Sequence, residues 1–99
     1  MGMRIYTTDK LAERAAKSAI VSISRILDKR YKNGFNTHVE GYDRDCYDAT
    51  ILKVYKKGKC VMVEYTWDFD KNDRFNQPIN VMTPVTILNI WQEVAGVVD

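Results

Sequence analysis

Residues 49–67 read ATILKVYKKGKCVMVEYTW, and they decide the fold. Two apolar runs flank the polar segment Lys56-Lys57-Gly58-Lys59. Ala49–Tyr55 is rich in β-branched residues, which suit a pleated backbone. Cys60–Trp67 alternates: Val61, Val63, Tyr65 and Trp67 point one way, and Cys60, Met62, Glu64 and Thr66 the other. That is the period of a strand with one buried face. A glycine between the runs supplies a turn, so the stretch predicts a hairpin joining 49–56 to 60–67 through Lys57-Gly58.

Upstream, the period changes from two to that of a helix. At 100° per residue, Ala12, Ala15, Ala16, Ala19, Ile20, Ile23, Ile26, Leu27 and Tyr31 share one broad face. Lys10, Arg14, Lys17, Arg25, Lys29 and Lys32 fall opposite, with Val21 among them. The pattern predicts one helix over residues 8–33, with Thr8 or Asp9 at its amino cap and Glu13 in its early turns. Asn33-Gly34 reads as the stop, with Gly34 in the left-handed position. Burial is expected along Ala16, Ala19, Ile20, Ile23 and Leu27.

Downstream of the helix, Phe35–Glu40 reads as a first strand and 68–78 as an irregular polar loop. Ile79–Met82 reads as a short strand, and Thr83-Pro84 as a break. Residues 85–91 fit either a strand or a short helix, since Ile87, Leu88 and Trp91 share helical spacing. Short strands with frequent turns favour a small barrel or a strongly bent sheet. The fold class is therefore α+β, helix first, in a single domain over 1–99 with a β-barrel-like unit at 35–92. The helix would cover an open side of that unit, or its Ile-rich face would pair two subunits as a homodimer.

Charge divides the chain in the same place. Residues 1–32 hold eight Lys and Arg against three Asp and Glu, and residues 33–99 hold seven against ten. The whole carries only +2 at pH 7, so any polyanion binding must come from a local patch. Cys46 and Cys60 are the only cysteines, and with the single His38 they lack the spacing of a metal site. Reduced thiols are expected, and His38 reads as a surface or edge-strand residue. The polar start, Met1 to Asp9, lacks the form of a signal peptide, and no apolar run reaches membrane-spanning length. A cytoplasmic protein is expected.

The catalytic motifs are missing. No nucleophile elbow or phosphate-cradling glycine loop occurs. Asp68-Phe69-Asp70-Lys71-Asn72 spaces its oxygens like the start of a calcium loop, but Asp73 and Ile79 stand where that loop needs Gly and Glu. Asp43, Asp45 and Asp48 cluster around Tyr42 and Tyr47, and read as a solvated loop rather than an acid–base pair. No enzyme, metal or cofactor is expected.

The aromatics of the β region point to binding. Tyr42, Tyr47, Tyr65, Trp67 and Phe69 are interleaved with carboxylates, and aromatic faces beside carboxylates suit cations such as Arg or methylated Lys. Cys46–Val54 resembles the second strand of Tudor domains, an aromatic followed by alternating apolars. Val61–Tyr65 resembles the strand after it, and Asn80–Leu88 the closing strand and short turn. The resemblance covers roughly 42–90. It departs from the family at Asp68-Phe69-Asp70, where an aromatic–glycine pair is usual, and the long basic helix is foreign to the module. It implies a Tudor- or SH3-like module that binds a protein partner, with Tyr42, Tyr47, Tyr65 and Phe69 as cage candidates. Asp43, Asp45 and Asp70 would supply negative potential. Tyr65 and Trp67 also read as barrel core.

The basic helix face supports a different function. Lys10, Arg14, Lys17 and Arg25 could contact phosphates, with Ser18, Ser22 and Ser24 adding hydroxyls. The sequence thus ranks an adaptor or regulator using the aromatic–acidic surface first, and a nucleic-acid-associated protein using the helix second.

Overall fold

The computed structural model describes residues 2–28, 32–41 and 43–96. Helix α1 (Gly2–Leu27) is followed by strands β1 (Lys32–Glu40), β2 (Cys46–Lys57), β3 (Cys60–Trp67) and β4 (Asp70–Pro78). A 3-10 turn (Ile79–Val81) leads into helix α2 (Pro84–Ala95). The class is α+β, helix first. The four strands form an antiparallel meander in the order β1-β2-β3-β4, an open sheet with β1 and β4 at its edges rather than a closed barrel.

The predicted hairpin is the centre of the sheet. Lys57 faces Cys60 across Gly58-Lys59, and Gly58 takes the left-handed backbone (φ 63°) such a tight turn needs. No atom would meet a Cβ there, so the demand is conformational. Between Ile51 and Lys53 the pairing shifts by one residue, a β-bulge at Leu52. A bulge of this kind bends and twists the strand that carries it.

Several boundaries differ from those the sequence suggested. Helix α1 begins at Gly2, so Thr8 and Asp9 lie within it rather than at its cap. It ends at Leu27, and Lys32, Asn33 and Gly34 belong to β1. Gly34 does hold a left-handed φ of 69°, but inside the strand. Pairing explains the early stop: Lys32 and Asn33 align with Val54 and Lys53 of β2, and Asp28 reaches Lys56 of β2 at 2.7 Å. Long-range pairing has overridden a local helical preference. Tyr31 and Lys29 lie outside the described residues.

Residues 68–78 are not an irregular loop. Only Asp68-Phe69 turn, and β4 pairs with β3 from Asp70 to Pro78. Its polar composition fits an edge strand: Phe75 and Gln77 align with Tyr65 and Val63, while Lys71, Asn72, Asp73 and Arg74 are exposed. Residues 79–81 coil as a 3-10 turn instead of a strand, and 85–91 resolve as helix. Thr83 caps α2 by accepting from the Thr86 amide, Pro84 occupies its first turn, and Gly96 closes it at φ 70°. The β unit therefore stops at Pro78, before residue 92.

One core holds these pieces together. Ala16, Ala19 and Ile23 of α1 and Ile87, Ile90 and Val94 of α2 are buried with Val54, Val61, Val63 and Ile79. The small residues early in the stripe and Ile23 beyond them match the expected burial, although Ile20 and Leu27 are half-buried. The stripe's Ala16, Ala19 and Ile23 pack inside the chain. Thr86, buried, donates from its hydroxyl to the His38 carbonyl at 3.2 Å and ties α2 to β1. Among the described residues no helix is long and apolar enough to cross a membrane.

Candidate functional site

The sheet register assembles a cluster of five rings. Tyr65 and Trp67 alternate along β3 and therefore share a face, and Phe75 of β4 pairs with Tyr65. Ala49 faces Trp67, which brings Tyr47, two residues earlier on β2, to the same side. Phe69, at the turn between β3 and β4, completes the set. That turn is pinned to β2 twice: the Asp68 amide donates to the Asp48 carbonyl at 3.0 Å, and the Thr50 hydroxyl donates to the Asp68 carboxylate at 2.7 Å.

Trp67 is the hub. Its ring lies 5.9 Å from Tyr47, 5.5 Å from Tyr65, 5.7 Å from Phe69 and 6.1 Å from Phe75. The Phe69 ring stacks on it at 13°, while Tyr47 stands nearly perpendicular at 78°. Offset-stacked and edge-to-face pairs are the favoured aromatic geometries. Tyr65 is buried and stacks on Phe75; its hydroxyl accepts from Gln77 at 2.5 Å. Phe69 is 69% exposed, an unusual degree for so apolar a ring.

The connection between β1 and β2 forms the acidic wall. The Gly41 amide donates to the Asp45 carbonyl at 2.8 Å, and the Arg44 amide to the Gly41 carbonyl at 3.1 Å. Arg44 adopts a left-handed φ of 70° at the bend. Asp43 folds inward. One of its oxygens accepts from the Asp45 amide at 3.2 Å, and the other from the Tyr47 hydroxyl. A Cβ on Gly41 would sit 3.0 Å from Tyr47 Cε2 and 3.3 Å from Asp43 Oδ1, so a larger residue there would press the ring or the carboxylate aside by a few tenths of an ångström.

The Tyr47–Asp43 hydrogen bond sets the local electrostatics. It pushes the Tyr47 phenol up to about 12, with partial burial adding to the effect. It also holds the Asp43 carboxyl below its usual range, helped by the Asp45 amide. Asp43 is therefore a fixed negative charge at neutral pH, and Tyr47 a fixed neutral donor.

Gly41, Asp43, Tyr47, Trp67 and Phe69 line one open hollow of about 560 Å³. Among the described residues, all five lie on the sheet or its connecting turns. A smaller hollow of about 200 Å³ shares Gly41 and Trp67 with it and is lined further by Glu40, Tyr65, Phe75 and Val81.

The structure thus brings together Tyr47, Phe69 and Asp43 of the expected site. Tyr65 is buried in the same ring cluster and faces the smaller hollow. Asp45 contributes its backbone to the loop, and the Asp70 carboxylate accepts from the Asn72 amide; neither lines the larger hollow. Tyr42 lies outside the described residues. Trp67, read as core from the sequence, is a wall of the hollow, and Gly41 is the other residue missed. The Tyr65–Trp67 alternation was the available signal for Trp67.

Elsewhere, Lys10, Arg14, Lys17 and Arg25 are all exposed along α1, with Val21 half exposed among them. None of the four makes an ion pair among the described residues. His38 is exposed on edge strand β1, 2.8 Å from Asp48. Cys46 and Cys60 are free and exposed. Asp68 and Asp70, which share the calcium-like spacing, are occupied by Thr50 and Asn72.

The chain matches no protein-family model, no curated protein and no solved structure with which it was compared.

Proposed function

We propose that this chain is a non-enzymatic binding protein, an adaptor or regulator, that takes a cationic segment of a protein partner in the aromatic–acidic hollow. The observation that carries this reading is the convergence of Tyr47, Trp67 and Phe69 with the Asp43 carboxylate around one open concavity. A positive side chain is attracted to the ring faces and to the fixed carboxylate together, and each exposed ring contact contributes about 0.5–1 kcal/mol. The exposed Phe69 fits a surface kept for a partner. A reducing, cytoplasmic setting suits the two unpaired thiols.

The test is calorimetric titration with short peptides bearing a central Lys or Arg and an uncharged control. Binding of the cationic peptides alone, weakened several-fold by Phe69→Ala with the fold intact by circular dichroism, supports the reading. Equal binding of the uncharged peptide rejects it.

A second reading rests on the basic face of α1. Lys10, Arg14, Lys17 and Arg25 stand exposed and without ion-pair partners among the described residues, as phosphate-contacting side chains would. Affinity for duplex DNA or RNA should then fall steeply with salt, and each Lys→Ala should flatten the log–log slope by about one unit. No binding at low salt removes this reading.

A further inference from the structure

We infer that the hollow selects an unmodified arginine side chain over lysine and over methylated lysine. The inference rests on the reading of the hollow as a cation site and narrows it to one chemistry.

The spacing of the rings is the first argument. A quaternary ammonium is best held between rings that face one another across it, each within about 6 Å of the charge. Such rings must stand well apart. Here the Tyr47, Trp67 and Phe69 centroids lie only 5.3 to 5.9 Å from one another, so the rings already touch. They leave no slot into which an ammonium or its methyl groups would fit. Any cation must lie on an outer face.

The second argument is what an outer face can hold. Phe69 stacks at 13° on Trp67, yet remains 69% exposed, so the stack is open at its outer end. A guanidinium is planar and stacks on a single exposed ring without enclosure. It is also more weakly hydrated than an ammonium, and so gives up less on leaving water for an open surface. A lysine head group in the same place gains one partial ring contact and keeps most of its hydration.

Asp43 supplies the third. A carboxylate oxygen accepts about two hydrogen bonds. Asp43 Oδ2 receives the Tyr47 hydroxyl, so an acceptor position on it is open. The carboxylate is oriented in advance by Tyr47 and by the Asp45 amide, so a donor arriving at the hollow meets a fixed partner. Asp43 and Phe69 line the same hollow, so a guanidinium can keep its plane against the ring while its edge donates toward that carboxylate, two contacts for which a compact ammonium is less well shaped.

The experiment uses the full chain and three peptides of one sequence, differing only in a central arginine, lysine or trimethyllysine, titrated by calorimetry. Arginine should bind on the order of tenfold tighter than either other peptide, the size expected for one charge-assisted hydrogen bond on an exposed surface. In Asp43→Asn, which keeps the shape but removes the charge, the arginine preference should shrink several-fold to the part that stacking on Phe69 supplies, with the circular dichroism spectrum unchanged. Lysine or trimethyllysine binding as tightly as arginine overturns the inference while leaving the cation site standing. An arginine preference that is undiminished in Asp43→Asn also overturns it. Failure of all three peptides to bind overturns the proposed function and this inference with it.

Discussion

Replacing Ile23 by alanine tests whether the long helix is part of the core. Ile23 is fully buried on α1, in the stripe that includes Ala16 and Ala19. The change removes three carbon groups from a site with no exposure. At about 0.8 kcal/mol per buried group, the lost transfer energy is about 2.4 kcal/mol. The remaining cavity adds about 1–2 kcal/mol, because its neighbours belong to α1, α2 and the sheet and can close it only in part. The total, about 3.5–4.5 kcal/mol, is a large share of the stability of a domain this size. In urea unfolding it should lower the midpoint by about 2 M with an unchanged slope, for a slope near 1.5–2 kcal/mol/M. Val21→Ala, half exposed two residues away, is the control and should cost well under 1 kcal/mol. Equal, small effects of the two substitutions would mean that α1 is not docked on the sheet as described.

The pH behaviour of the hollow follows from one hydrogen bond. Tyr47 has its phenol raised from 10.0 to about 12, so its contribution is present below pH 10 and is lost as pH rises through about 12. Asp43 is lowered from 3.8, so the same contact persists above that value and is lost only as pH falls through the depressed one. The difference in phenolate absorbance between the native chain and Tyr47→Phe should therefore report a late-titrating tyrosine, and Asp43→Asn should return it toward 10. An unshifted tyrosine in that difference would contradict the contact. Gly41→Ala should force the Tyr47 ring or the loop aside, weaken peptide binding several-fold and bring the same phenol down, read by the same absorbance difference; native-like binding would show that the close approach is unimportant.

The sequence carried the centre of the fold clearly and its edges poorly. Alternation in Cys60–Trp67, with glycine in the turn before it, was enough to define β2 and β3. Strand β4 was hidden because an edge strand buries little: Phe75 and Gln77 face inward, and the exposed polar residues around them read as loop. The helix boundaries were hidden because nothing in residues 3–7 breaks a helix, and Lys32, Asn33 and Gly34 belong to β1, where Lys32 and Asn33 pair with β2.

The site was obscured by a subtler feature. With the turn at Gly58-Lys59, regular pairing would place Thr50 opposite Trp67 and turn Tyr47 to the other face of the sheet. The bulge at Leu52 shifts the register by one, places Ala49 opposite Trp67 and turns Tyr47 toward the rings. A single inserted residue exchanges the two faces of everything beyond it. Alternation in the sequence cannot reveal such a residue, so the carboxylate–aromatic composition suggested a binding surface while the partnership of Tyr47 with Trp67 and Asp43 stayed out of view.

The most direct measurement is a map of amide and indole NMR shifts in the full chain as an arginine-bearing peptide is added. The account predicts saturable changes centred on Gly41, Asp43, Tyr47, the Trp67 indole and Phe69, with the basic face of α1 unmoved. Changes confined to Lys10, Arg14, Lys17 and Arg25, or none at any peptide concentration, would contradict it.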